Sequence, residues 1–335
     1  MSAISISDIR QTIKGTVIAP EDPGYDQACT VVYGGIAKRP QAIVKVADAT
    51  DVSRLVTLAR ETGVELAIRG GGHSIAGHSL SDGGIVLDLR DMKAVKVDVE
   101  GRTAWAEAGV TAAEYTEAAA EHGLATGFGD TGSVGLPGIT LSGGIGFLVR
   151  KHGLAIDSLL AAEIVTADGE IRQVDEQSQP DLFWAIRGGG GNFGVVTRLK
   201  FRLHELAGIV GGMLLLPATT EVVERFIALA EAAPAELSTI ANVMPAPPMP
   251  FVAQEWHGRL VVMALVVYAG NAEVGERVIA PFRALATPIA DLVKPMSYPE
   301  MFPPENDSYH PTAVSQTMFV DEIGSGEAGT IMKFL

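Results

Sequence analysis

Apolar residues in this chain recur at two spacings, at alternate positions or at every third and fourth, and the exchange between them marks out the elements. "AIVKVAD" (42–48) reads as a strand and "DATDVSRLVTLARETG" (48–63) as a helix, with an aspartate cap at its start and Gly63 ending it. "VELAIRG" (64–70) and "GGIVLDLRDM" (83–92) are further strands, and "AVKVDVEGRTAWAEAGV" (94–110) is a hairpin turning at its "EG". The alanine-rich "TAAEYTEAAAEHGLA" (111–125) predicts a helix ended by Gly123. A hairpin around "DG" follows in "LLAAEIVTADGEIRQVD" (159–175), then a short helix in "PDLFWAIRG" (180–188). "GVVTRLKFRLHEL" (194–206) is a strand in which apolar and basic residues alternate. Ahead of all this, residues 1–36 hold one short helix, "SISDIRQTIKG", and an irregular lead-in.

The character of the chain changes near residues 205–209. From there the pattern runs strand, helix, strand across 208–250, then a strand in "RLVVMALVVYAG", a helix in "NAEVGERVIAPFRAL" and a loop in "PPENDSYHPT". That order suits a sheet covered on one face by helices. A length of 335 residues agrees with two domains, and no repeat of fixed period is visible. The last stretch, "DEIGSGEAGTIMKFL", finishes no recognisable element, so the chain is expected to be a fragment of a larger design.

Composition narrows the function. With 47% hydrophobic and 19% charged residues the chain can pack real cores. A net charge of −15 argues against nucleic acid and against an anionic membrane surface, leaving small molecules as partners. Cys29 is the one cysteine, which rules out a disulfide framework within the chain and allows a reducing compartment. The start "MSAISISDIR" lacks a cationic segment followed by an apolar core, so no signal peptide is expected. The most apolar run falls short of the roughly 20 residues of a membrane span. The expected location is cytoplasmic; the oligomeric state is open.

Glycine is the departure. Its 38 residues exceed the average share of about 7%, and they gather in "RGGGHSIAG" (69–77), "GFGDTGSVGLPGITLSGGIG" (127–146) and "RGGGGNFG" (187–194). Strand-like or helical segments flank each cluster, which suits loops held close to something bulky. Without a Cβ in the way, main-chain N–H groups can converge on phosphate oxygens. One cluster alone reads equally well as a tight turn; three beside strands argue for one shared large ligand. Gly189, Gly191 and Gly194 match the spacing of the dinucleotide fingerprint, yet they follow a helix and lead into a strand, the reverse of what that fingerprint needs. His73 and His78 stand five apart with no third ligand at suggestive spacing, so no metal is expected. Ser142 has no nucleophile elbow around it.

Three stretches carry a family resemblance. "IRGGGHSIAGHS" with "GGIVLDLRDM" resembles the flavin-attachment segment of the FAD-linked oxidases, the vanillyl-alcohol-oxidase-like superfamily with a PCMH-type FAD fold. The likeness continues through "DTGSVGLPGITLSGGIGFLVRKHGLAIDSLLAAEIVTADGEI" and "DLFWAIRGGGGNFGVVTRLKFRLH", and the subgroup it resembles is that of the berberine-bridge-enzyme-like and 6-hydroxynicotine-oxidase-like enzymes. It implies an α+β protein: an N-terminal lead-in (1–36), a two-part FAD-binding PCMH-type domain (37–207), and a substrate domain (208–335) with an antiparallel sheet covered by helices and truncated at its C-terminus.

The same resemblance implies covalent FAD attached through His73. Many relatives make a second bond from a cysteine in a "CPTVG" segment; here "TGSVG" puts Thr131 at that position, so attachment is expected through His73 alone. Gly70, Gly71, Gly72, Ser74 and Gly77 would line the pyrophosphate, with Arg69 and His78 in the same segment. Gly132, Gly135, Gly138, Thr140, Ser142, Gly143, Gly144 and Gly146, with Asp130 and Thr131 before them, would surround the ribityl and phosphate portion. Ile156 and Asp157 would lie near the adenine or phosphates, and Asn192, Phe193, Gly194 and Val196 would complete the wall. Val134 matches a position that governs oxygen access in relatives, and its small side chain resembles the oxidase type. The implied reaction takes hydride from a C–H beside an alcohol or amine of a small molecule, with dioxygen as the final acceptor. The family's general base belongs to a C-terminal segment beyond Leu335; Tyr268, Tyr298, His310 and Asp321 lie in the substrate part, and none is singled out. The competing readings are a dehydrogenase with another electron acceptor and an inactive, truncated flavin-binding remnant.

Overall fold

The structure is a computed structural model that describes residues 5–304 and 309–335; part of the "PPENDSYHPT" loop lies outside the described residues. The chain divides into two compact units. The first comprises Met1–Gly146, Leu154–His204 and Phe302–Ser315, the second Phe147–Gly153, Glu205–Met301 and Gln316–Leu335.

Two larger sheets dominate the first unit. In one, the strands run in the order Thr16–Ile18, Ala42–Lys45, Ile85–Asp88, Leu66–Arg69, the first pair antiparallel and the others parallel. The helix Ala49–Thr62 starts where the Asp48 carboxylate accepts the N–H groups of Thr50 and Asp51, and it ends at Gly63, whose φ of +72° costs a glycine nothing. Val52 and Leu55 from this helix are buried with Val44, Ile85 and Leu87. The lead-in is more ordered than its sequence suggests: Thr16–Ile18 pairs with Ala42–Lys45, and the buried Asp51 carboxylate accepts from the backbone of Lys14 and Gly15.

The second sheet is wholly antiparallel, in the order Val95–Asp98, Thr103–Glu107, Val195–Arg202, Leu159–Val165, Ile171–Asp175. Both hairpins read from the sequence are present. The helix Ala112–Ala120 opens with a reciprocal cap: Thr111 Oγ1 accepts from Glu114 N, and the Glu114 carboxylate accepts from Thr111 N. Its Tyr115 meets Phe128 and Phe201 edge to face, at centroid distances of 4.9 and 5.6 Å, in the core between helix and sheet.

The second unit holds an antiparallel sheet in the order Leu237–Pro245, Leu260–Tyr268, Ile209–Pro217, Ala290–Asp291, with Lys294–Met296 also paired to Ile209–Pro217. Helices Thr220–Ala232 and Ala272–Arg283 bury Phe226 and Phe282 edge to face over the sheet, 5.1 Å apart. Gly275 lets the second helix approach closely, because a Cβ there would press on Tyr268 and Val210.

The end of the chain corrects the sequence reading. "DEIGSGEAGTIMKFL" does finish an element, the helix Ser325–Phe334. Gly326 and Gly329 disguise it, since glycine disfavours a helix interior. Ala328, Ile331 and Met332 recur at helical spacing and join the core of the second unit, and that burial overrides the local cost. Among the described residues no helix is long and apolar enough to cross a membrane.

Candidate functional site

The strand Leu66–Arg69 ends in the first glycine cluster, and its edge position leaves one side open. Arg69 closes the strand inward. Its buried guanidinium donates to Asp88 Oδ2 at 2.6 Å and to the Ala28 carbonyl at 2.7 Å. Burial alone would raise the Asp88 carboxyl, but hydrogen bonds from Arg90 and the charge of Arg69 outweigh it and hold it below the usual carboxylate range. The pair pins the base of the loop that carries His73.

Gly71 and Gly135 explain why two clusters need glycine. A Cβ on either would overlap backbone atoms of the other, so the first and second clusters touch main chain to main chain. The second cluster is anchored behind by the helix Ala112–Ala120: Ala112 N donates to Val134 O and Ala113 N to Gly132 O, each at 2.9 Å. It then turns into the short helix Leu136–Leu141. The third cluster follows Pro180–Gly189 and leads into Val195–Arg202, the order that excluded a dinucleotide fingerprint.

The three clusters line one cavity of about 920 Å3, at the upper end of the roughly 300–1,000 Å3 usual for small-molecule and cofactor sites. Gly70, Gly71, Gly72, His73 and Ser74 line it from the first cluster, and His78 lines it from just beyond that cluster. Val134, Gly135, Gly138 and Ser142 come from the second, Asn192 and Gly194 from the third, and Val196 from the strand that follows it. A Cβ on Gly138 or Gly191 would meet no protein atom within 4 Å, so the lining there is bare backbone with open space in front. The His73 Nε2 and Ser133 Oγ share a hydrogen bond of 2.7 Å, which joins the imidazole to the second cluster.

Other expected residues are not among those that line the cavity. Arg69 lies in its ion pair, and the carbonyl of Gly77, whose φ is +72°, faces Lys38. Thr140 is buried within the short helix, its hydroxyl without a hydrogen-bond partner among the described residues. Gly143 and Gly144 accept from Ile156 N and Ala155 N, and Gly146 packs on Gly129. Asp157 accepts from Leu154 N at 2.8 Å. Thr131 donates to Asp130 at 3.1 Å, Gly132 faces the Ala112–Ala120 helix, and the Phe193 ring lies against Gly189.

The cavity also recruits Lys38, Glu65, Leu66, Ile68, Ser79, Leu80, Leu89, Ile139 and Leu141, which sequence reasoning did not assign. For Leu66 and Ile68 a signal existed: they alternate along the strand that delivers the glycines. Lys38 gave none.

Bare backbone from three loops, apolar side chains and the anchored imidazole of His73 thus meet around one cavity of cofactor size. Residues 40–175 match the FAD binding domain family, and over most of its length the chain is similar to FAD-linked oxidoreductases. It is 36% identical over 292 residues to (R)-6-hydroxynicotine oxidase of Paenarthrobacter nicotinovorans, covering 87% of this chain and 62% of that protein. Among solved structures, 6-hydroxy-D-nicotine oxidase from Arthrobacter nicotinovorans superposes with a TM-score of 0.79 at 34% identity, over 86% of this chain and 63% of that one. Xylooligosaccharide oxidase from Myceliophthora thermophila, solved with xylobiose, gives a TM-score of 0.75 at 28% identity, over 89% and 63%. The chain thus spans somewhat less than two thirds of each of these three relatives.

Proposed function

We propose that this chain is the FAD-binding part, with part of the substrate domain, of an oxidase that acts on a C–H beside an alcohol or amine of a small molecule. The observation that carries the reading is the meeting of three glycine loops around one cavity with His73 on its wall. FAD, once bound, supplies the hydride acceptor and the route for electrons to dioxygen, giving peroxide. The residues present fit it: bare N–H groups of Gly70–Gly72 and Gly188–Gly191 suit the diphosphate, and Leu66, Ile68, Val134 and Ile139 suit flat apolar rings.

In this reading His73 is the sole covalent tether, because Thr131 offers a hydroxyl where a thiol would be needed for a second bond. The hydrogen bond to Ser133 restrains the imidazole ring and so presents it in one orientation. Val134, small and on the cavity wall, keeps a path for dioxygen open. The first unit is the cofactor domain and the second contributes to substrate binding.

The test is an absorption spectrum before and after denaturation, joined to intact mass. The expected protein is yellow, keeps its colour through acid precipitation, and is heavier than the bare chain by one FAD. His73→Ala is expected to release the flavin on denaturation. A colourless purified protein would overturn the cofactor reading; flavin that washes out of the unsubstituted chain would overturn the tether. Reduction of an artificial dye without dioxygen consumption would replace the oxidase by a dehydrogenase.

A further inference from the structure

Lys38 reaches the cavity from the segment before the first parallel strand. Its Nζ donates to the carbonyls of Gly77 at 2.9 Å and Leu80 at 3.0 Å, on the loop that begins at His73. An ammonium has three N–H donors and no acceptor. With two donors engaged, one remains for whatever fills the cavity.

The charges around the cavity give that donor its meaning. Among the described residues whose side chains line the cavity, Lys38 is the fixed cation and Glu65 the fixed anion. The nearby Arg69 does not line it and is committed to Asp88 and Ala28. Glycine N–H groups bring only partial charges toward a ligand, whereas a diphosphate carries full negative charges into a partly apolar enclosure, where an opposite charge acts more strongly than in water.

Resting on the FAD reading, we propose that Lys38 is the counter-ion of the cofactor's diphosphate and, through its two carbonyl bonds, the residue that positions the His73 loop around it. The two roles reinforce each other: the carbonyls orient the ammonium, and the bound anion holds the ammonium against them.

The test uses the full chain carrying His73→Ala, so that binding is reversible, stripped of cofactor by dialysis. ADP, which keeps the diphosphate, and adenosine, which lacks it, are titrated by calorimetry. Lys38→Met is expected to weaken ADP roughly 10- to 100-fold, the scale of one hydrogen bond to a charged group, and to leave adenosine unchanged. Lys38→Arg is expected to restore most of the loss, and added salt to narrow the gap. Equal weakening of both ligands, or of neither, overturns the assignment. If the chain with Lys38 intact binds neither FAD nor ADP, the cofactor reading falls and takes the assignment with it. If it binds FAD while Lys38→Met leaves ADP unaffected, the assignment alone falls.

Discussion

Removing the carboxylate of Asp88 is predicted to destabilise the first unit by about 3–5 kcal/mol, the usual penalty for leaving one partner of a buried ion pair alone. Asp88 is 0% exposed and Arg69 1%. The carboxylate accepts from Arg69 Nη2 at 2.6 Å, Arg90 Nη2 at 2.9 Å, Arg90 Nε at 3.0 Å and Arg90 N at 3.1 Å. In Asp88→Ala the Arg69 guanidinium keeps only the Ala28 carbonyl. Arg90 matters less, because its side chain is 38% exposed and can turn to water. Urea denaturation followed by circular dichroism should show a lower midpoint at unchanged slope. The double variant Asp88→Leu with Arg69→Met should recover most of the loss, since a well-packed apolar pair is often as stable as the ion pair it replaces. A loss below about 1 kcal/mol, the scale of an exposed pair, or a double variant as unstable as Asp88→Ala, would show that burial does not make this ion pair indispensable. The pH dependence follows from the lowered carboxyl. The pair's contribution is fully present above the unfolded value near 3.9 and is lost as pH falls through the lower folded value. Asp88→Asn should lack that acid-dependent part.

Two further outcomes follow from the same geometry. Gly135→Ala should push apart the two loops that meet at Gly71, at a cost of about 1–3 kcal/mol for overpacking, and should lower the flavin content of the purified protein; a variant with normal stability and full flavin content would show that the backbone contact is not needed. The Asp168 carboxyl should titrate at about 2 in an NMR titration, held down by the Thr166 hydroxyl, the Glu170 N–H and Arg172. Its hold on the hairpin is therefore present above about pH 4 and lost as pH falls toward 2. Thr166→Val should raise the titration, and an ordinary carboxylate value in the unsubstituted chain would count against this arrangement.

Much of this fold was legible locally. Asp48 and Gly63 mark both ends of a helix because a carboxylate satisfies free N–H groups and a glycine accepts positive φ. The "EG" and "DG" turns appear as hairpins joining adjacent antiparallel strands. The site was legible in part. His73, Val134, Gly138 and Asn192 do line the cavity, because they lie in glycine-rich segments that local chemistry already marked as unusual. Arg69 and Thr140 do not, because a residue's place in a motif leaves its direction undecided, and burial turned both away.

The order of residues therefore determined the elements and the three glycine-rich loops, since caps, turns and alternation act within a few positions of the chain. Tertiary structure decided what those loops do. It brought Gly71 against Gly135, carried Lys38 to a loop some forty residues away, buried Arg69 on Asp88, and gave the glycine-poor logic of helix formation a new answer at Ser325–Phe334. Each of these depends on which distant surfaces exclude water together, and burial summed over such contacts outweighs the preferences of any short stretch.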